Sequence, residues 1–448
     1  MPNKATNKAT NKATLLATTL GFGVVQLDVS VVNVAIKPIR SELGGSVAAL
    51  QWIVDAYTVA LAALILSAGA LGDRLGAKRL FVSGFAVFTL ASAWCGLSPN
   101  LATLLAARTV QGMGAAVLIP CSLSLLTHAY PDTQARARAV GLWAAGASVA
   151  LSAGPLVGGV LTSTLGWRWI FFVNAPLGAF GIWLTVRHAS ETTRSRDRSV
   201  DRPGQLLAVV SLVVLAAAAV AGGQRGFADS LVLSGFGIAA VATVGFVLAE
   251  RRRRAPMLPL RLFRDATFSA ASAIGLLINF TFYGLIFVLS LYFQYVRGLS
   301  VLRTGLAFAP TTAAVGMGNI LGGRLSATDA RKAIFGGALV VAGSLAGLLV
   351  VGSSTPYVAL VGQLVALGFG LGVLVPAMTA ALLGSVDASR SGVAAGTLNT
   401  ARQTGSVVGV AVFGSLAAGH IVTGLRVALA ISIAVAVIVA GLSAAIRT

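Results

Sequence analysis

Gln111-Gly112-Met113-Gly114-Ala115-Ala116-Val117-Leu118-Ile119-Pro120 and Leu367-Gly368-Phe369-Gly370-Leu371-Gly372-Val373-Leu374-Val375-Pro376 follow one pattern. Each has glycine at its second and fourth positions, then an apolar run, then proline at its tenth. The stretch after each copy carries two glycines at equal spacing, Gly154 and Gly158, then Gly405 and Gly409. A pattern that recurs once along a chain predicts two related halves. Both copies lie inside apolar stretches of bilayer-spanning length, so the halves are bundles of membrane helices. Parallel repeats of this kind place a binding site at their interface, near the bilayer midplane.

Working outward, the remaining apolar stretches predict spans at 15–36, 50–71, 80–97, 101–127, 137–162, 168–187, 204–222, 231–249, 267–294, 302–325, 332–351, 357–383, 391–417 and 424–445. The predicted fold class is all-α integral membrane, with fourteen transmembrane spans. A disordered tail is expected over 1–14, where Asn-Lys-Ala-Thr occurs three times. A six-helix bundle then covers 15–187, a linker with two inserted central helices covers 188–266, and a second six-helix bundle covers 267–448. Inserting an even number of spans preserves the orientation of the second half.

The composition agrees with this class. Of the 448 residues, 56% are hydrophobic and 10% charged, against about 25% charged in soluble domains. A net charge of +20 would suit a nucleic-acid binder, but its distribution argues against one. With Lys4 in the cytoplasm, 24 of the 33 lysines and arginines fall on that side and 7 on the other. That asymmetry is the positive-inside pattern, and it predicts a multi-pass protein of the cell membrane with both termini cytoplasmic. Anionic lipid is one contact the basic side could make. Cys95 and Cys121 read as free buried thiols, and the three histidines form no metal spacing.

Charges inside the spans are the candidates for function, because each is expensive at membrane depth. The first half holds Asp28, Asp55 and Arg108. Counted from the outer ends of their spans, they lie ~12, ~7 and ~10 Å deep at the helical rise. Arg108 is therefore expected to neutralise either carboxylate in turn, which would switch proton affinity. The same residues would also serve as a static ion pair. The second half has no acid inside a span and has Arg402 instead. Asn279, Tyr283, Gln294, Asn399 and Gln403 are candidate polar groups around it, with Asn33 and Gln111 in the first half. Phe280, Phe282, Phe287 and Phe293 could wall a pocket, or simply fill space. Arg402 tilts the expected substrate toward neutral or anionic compounds.

The loop Gly69-Ala70-Leu71-Gly72-Asp73-Arg74-Leu75-Gly76-Ala77-Lys78-Arg79 is a tight, basic, cytoplasmic turn with one embedded acid. It reads as a latch that forms and breaks as the bundles rock. Its residues resemble the signature loop of the major facilitator superfamily. Leu27-Asp28 through Asn33 to Pro38, Trp52 to Tyr57, Arg108 to Gly114 and Gly154-Pro155-Leu156-Val157-Gly158-Gly159 resemble motifs of that superfamily's fourteen-span drug:proton antiporters. Leu291 to Gln294, Ser354 to Tyr357 and Leu398 to Gln403 are similar to methylenomycin-resistance exporters. Two departures are Ala77, where a basic residue is common, and a degenerate second-half loop, Gly322 to Leu325 followed by Asp329.

The resemblance implies the major facilitator fold and proton-driven efflux of small hydrophobic drugs or antibiotics by alternating access. It implies Asp28 and Arg108 as the proton-linked pair, with Asp55 beside them. It implies Gly69, Asp73, Arg74, Gly76, Lys78 and Arg79 as the cytoplasmic gating loop. It also implies Gly154, Pro155, Gly158 and Gly159 as a seal against proton leak, although ordinary small-residue packing would use the same glycines. No nucleotide-binding loop and no catalytic set of side chains is present. The expected partners are drug, protons and lipid, with no cofactor, no nucleic acid and a monomeric state. The alternatives are a proton symporter importing a nutrient and a non-transporting membrane sensor.

Overall fold

The computed structural model describes residues 4–192, 202–252, 260–386 and 391–447. All regular structure among them is helical. The first half runs α1 (Lys4–Leu43), α2 (Val47–Leu75), α3 (Ala77–Gly96), α4 (Leu101–Ala129), α5 (Thr133–Thr164), the short α6 (Trp169–Phe172) and α7 (Asn174–His188). The hairpin α8 (Arg202–Arg225) and α9 (Ser230–Arg252) follows. The second half comprises α10 (Ala266–Leu291), α11 (Val301–Leu348), α12 (Tyr357–Gly384), α13 (Ser391–Ala417) and α14 (Ile421–Leu442). We call the end where α1 begins and α14 finishes the near end, and the opposite one the far end.

Local chemistry sets the boundaries. The side chains of Ser46, Asn100, Asp132, Asp265 and Ser300 accept backbone N–H bonds at the starts of α2, α4, α5, α10 and α11, satisfying donors that helix geometry leaves over. α11 breaks at Asp329, whose carboxylate accepts the Lys332 N–H at 2.9 Å and restarts the helix. Gly76 turns α2 directly into α3 at φ 101°, a region that suits glycine. The tail expected to be disordered is helical from Lys4. Its Ala and Lys favour helix, and the Thr14 and Thr18 hydroxyls fold back onto the carbonyls of Thr10 and Thr14.

Ten helices among the described residues are long and apolar enough to cross a membrane. An eleventh is added if the two parts of α5, bent by 43°, count as one span. α2, the first part of α11 and α13 are not among them. The described apolar stretch of α2, Ala49–Ile65, is short. α13 carries Asn399, Arg402, Gln403 and Ser406, and the first part of α11 carries Arg303, Thr304, Thr311 and Thr312. Several of these polar residues are buried in the protein, where lipid hydropathy does not govern their cost.

The two halves repeat each other in space. A Cβ on Gly112 would lie 2.4 Å from the Tyr57 carbonyl oxygen, and one on Gly368 would lie 2.4 Å from that of Thr311. Gly114 likewise abuts Gly84 and Phe88 on α3, as Gly370 abuts Gly337 and Val341 on the second part of α11. Gly154 and Gly158 press α5 onto Ser30 and Val31 of α1, and Gly405 and Gly409 press α13 onto Leu276 and Phe280 of α10. These approaches are too close for any side chain, which is why the repeated positions are glycine.

The bundles meet along two seams, α5 with α11 and α2 with α13. On the first, a Cβ on Gly159 would lie 3.0 Å from the Gly305 Cα. On the second, the Gln51 amide donates to the carbonyls of Val410 and Ala411 at 3.4 and 3.2 Å. Lys37 also donates across to the Gln294 carbonyl, at 3.0 Å, in a π-helical turn at the end of α10. These three contacts lie toward the far end. The α8–α9 hairpin packs on both α2 and α13. Its Gln205 amide donates to the Ala63 carbonyl at 2.6 Å, and its carbonyl accepts from Ser67.

Candidate functional site

α1, α4 and α7 bring a polar network to the middle of the first bundle. Asp28 and Arg108 are fully buried and form an ion pair. The Asp28 Oδ1 also accepts from Gln111 at 2.7 Å and from Asn174 at 3.1 Å. Arg108 donates through Nε to the Ile53 carbonyl at 2.9 Å and through Nη1 to the Gln111 side-chain carbonyl at 2.6 Å. Ser92 accepts from both Gln111 and Asn174. The guanidinium lies 4.3 Å from the Tyr57 ring centroid. A buried ion pair persists only with its remaining donors and acceptors satisfied, and Gln111 and Asn174 do that for the carboxylate.

Asp55 is also fully buried, but neither carboxylate oxygen has a hydrogen-bond partner among the described residues. The expected exchange of Arg108 between two acids is therefore not the arrangement found. Ile53 and Tyr57 face Arg108. Two positions along a helix is roughly 200° of rotation from Ile53, so Asp55 points elsewhere. It shares a stripe with Gln51 and Val59, which pack on α13, and so belongs to the bundle seam.

Pro155 explains how α1 and α5 are joined. Proline has no N–H and leaves the carbonyl four residues earlier free. That carbonyl, of Leu151, accepts the Ser30 hydroxyl at 2.7 Å. Of the glycines around it, Gly154 and Gly158 face α1, whereas Gly159 faces Gly305 across the seam.

The polar residues expected to bind substrate divide into groups. Gln111 belongs to the Asp28 network. Asn33 and Asn279 donate back to their own helices, to Val29 and Ser30 and to Gly275. The backbone of Gln294 receives Lys37 at the far end. Asn399, Arg402 and Gln403 share one turn of α13. Tyr283 lies within electrostatic range of Arg402 and Gln26, and of Tyr57 across the interface. Tyr57, Tyr283, Gln26 and Arg402 therefore form a central cluster between the bundles. Phe287 and Phe293 are buried packing, and Phe293 meets Phe308 and Tyr357 edge to face rather than facing that cluster.

A sequence profile of the Major Facilitator Superfamily matches residues 18–410. The chain belongs to that superfamily. Among curated relatives, the methylenomycin A resistance protein of Streptomyces coelicolor is 39% identical over 88% of this chain and 83% of its own length. The multidrug resistance protein Stp of Mycobacterium tuberculosis is 37% identical, over 89% and 74%. The tetracenomycin C resistance and export protein of Streptomyces glaucescens is 31% identical, over 90% and 75%. The human organic anion transporter MFSD10 superposes with a TM-score of 0.67 at 16% identity, over 97% of this chain and 99% of that one. At that identity the likeness shows the fold alone. With its ten candidate spans among the described residues, this member of a transporter superfamily is a multi-pass membrane protein, and the three relatives carry resistance or export names.

The loop from Gly69 to Arg79 is held by residues that sequence reading does not single out. The Glu191 carboxylate accepts the Lys78 N–H at 2.9 Å and the Thr192 hydroxyl accepts the Ala77 N–H at 2.9 Å. Together they cap α3 from the end of α7, and a Cβ on Gly76 would strike Glu191. Lys78 Nζ reaches the Val186 carbonyl at 3.0 Å. Arg79 stands 3.8 Å from Glu191 and is largely exposed, as is Arg74. Gly69 lies against Pro120. The Asp73 side chain lies outside the described residues. Glu191→Ala removes a capping carboxylate, and its expected cost is about 0.5–2 kcal/mol, read as a lower unfolding temperature with substrate binding retained. Only a fold that returns α7 to the α2–α3 turn makes Glu191 a partner, so local pattern gives no sign of it. Asn174 and Ser92 were missed for the same reason.

Proposed function

We propose that this transporter is a drug:proton antiporter that exports small hydrophobic drugs or antibiotics by alternating access. The observation that carries the reading is the buried Asp28–Arg108 pair with its Gln111 and Asn174 donors, beside an unpartnered Asp55 at the bundle seam. An isolated carboxylate in a low-dielectric interior is costly as an anion, and protonation removes that cost. In this reading Asp55 takes up a proton as the bundles close on each other. Asp28 exchanges its proton when rocking changes its distance from Arg108. The antibiotic-export and multidrug-resistance names of the relatives support the cargo class.

The architecture that goes with this reading has fourteen spans in the cell membrane: a bundle over 15–187, two inserted helices within 188–266 and a bundle over 267–448. Both termini are cytoplasmic, the near end faces the cytoplasm, and the protein works as a monomer. No cofactor or nucleic acid takes part. The loop from Gly69 to Arg79 gates the cytoplasmic side, and Gly154 to Gly159 seals the bundles.

Inside-out vesicles with an acidic interior test it, with drug accumulation and proton release followed together. Drug-dependent proton release is expected for the wild type, and Asp55→Asn should reduce it at least about tenfold, equivalent to ~1.4 kcal/mol. Drug entering without counter-movement of protons would sink the antiport reading. Proton movement in the same direction as cargo would instead favour the symporter.

A further inference from the structure

Arg402 differs from Arg108 in a way that concerns the cargo. Arg108 has a counter-charge in Asp28 and donates to Gln111 and the Ile53 carbonyl, although its Nη2 is buried without a partner among the described residues. Arg402 has no hydrogen bond and no ion pair among the described residues, and its Nε is buried without a partner. α10, α12 and α13, which surround it, contain no aspartate or glutamate. Asp55, on the facing stripe of α2, has no electrostatic interaction with it; Tyr283 is the titratable group within range. The neighbours Leu398 and Gln403 are buried, whereas Arg402 is partly accessible.

The backbone is built to let this side chain through. A Cβ on Gly275 would lie 3.3 Å from the Arg402 Cγ and 2.7 Å from a Leu398 methyl, so glycine there makes room for the aliphatic stem. The Met378 sulfur lies 3.5 Å from the same point, and the guanidinium is within electrostatic range of Tyr283. A guanidinium whose Nε is buried without a counter-charge carries a standing cost, and its planar fork matches a carboxylate.

We infer that Arg402 anchors an anionic group, a carboxylate on an otherwise apolar cargo, in the central cluster. Tyr283 borders the anchor, with Gln26 beyond it, and the apolar surroundings take the rest of the molecule. This inference rests on the export reading for the word cargo, but its binding claim stands apart from transport.

The test uses the full-length protein in nanodiscs, in chloride-free buffer, with three probes on one scaffold: 2-naphthoate, 2-naphthamide and 2-naphthylmethylammonium. The naphthoate is expected to bind on the order of tenfold tighter than the amide, with the ammonium weakest, as for a charge-assisted hydrogen bond gained. Arg402→Gln should remove the preference and Arg402→Lys should keep part of it. A naphthoate that binds no better than the amide, including no binding of either, overturns the inference. So does a preference that survives in Arg402→Gln. If that variant does not fold, the three-probe comparison on the wild type and on Arg402→Lys still decides. Vesicle assays separate the two readings. Naphthoate bound but never exported would refute export while leaving the anchor intact. Export of the amide and ammonium with naphthoate excluded would refute the anchor alone.

Discussion

Asp28→Ala is expected to abolish export and to destabilise the protein by about 3–5 kcal/mol, because it strands the Arg108 guanidinium in the bundle interior with no counter-charge. Gln111 and Asn174 lose their acceptor at the same time. Two roles are compatible with such a loss, and a double substitution separates them. Replacing both partners, Asp28→Asn with Arg108→Gln, removes the stranded charge and should recover most of the stability. If the pair is only structural, efflux returns with stability. If the pair moves protons, the double variant folds, binds drug and still fails to drive it against a gradient. Thermal unfolding and vesicle efflux on the wild type, Asp28→Asn, Arg108→Gln and the double variant give the cycle. Efflux at wild-type rates in the double variant would remove Asp28 and Arg108 from proton coupling.

Gly159→Leu is expected to leave expression and folding of each bundle intact and to eliminate turnover. The new side chain would run into Gly305 and the Val301 carbonyl, which a Cβ alone would approach to 3.0 and 3.1 Å. Overpacking of this kind costs about 1–3 kcal/mol. Here that cost applies only while the far end is closed, so it shifts the conformational balance toward opening there by roughly 5–150-fold. Labelling of a cysteine placed at Val301 by a membrane-impermeant maleimide should rise accordingly. The native thiols, Cys95 and Cys121, are buried and contribute little background. Gly305→Leu should behave alike, whereas Gly154→Leu should misassemble the first bundle, since its Cβ would meet Ser30 of α1. Unchanged labelling and normal efflux in Gly159→Leu would show that this seam does not gate.

Much of this is legible in the sequence. The duplicated glycine pattern at 111–120 and 367–376 predicts two related halves, and Gly112 and Gly368 meet equivalent carbonyls. The scarcity of charge inside the spans singled out Asp28 and Arg108, which pair. Depth along a helix was readable too, but azimuth was not. Asp55 sits at a depth that overlaps Arg108 and points to another helix, and a span that is apolar on every side carries no periodicity to reveal which. Long-range partners were beyond reach for a different reason. Glu191 on the α3 cap, Ser30 on the carbonyl released by Pro155, and Gly305 opposite Gly159 are ordinary residues where they stand, and only the fold gives them a counterpart. The Gly-Pro-x-x-Gly-Gly run read as one unit, yet its first and last glycines serve different neighbours.

The two seams occupy equivalent places in the repeat but are made of different material. On one side glycine lies bare against glycine. On the other, Gln51 hooks two carbonyls of α13 and Gln205 grips α2 just beyond it. A rocking motion across such a joint has a smooth bearing along one edge and a catch along the other. In the proposed cycle, opening would begin along the bearing and be completed at the catch, beside Asp55. A protonation event there would work with the mechanical advantage of a trigger, releasing a displacement much larger than the movement of the carboxyl itself.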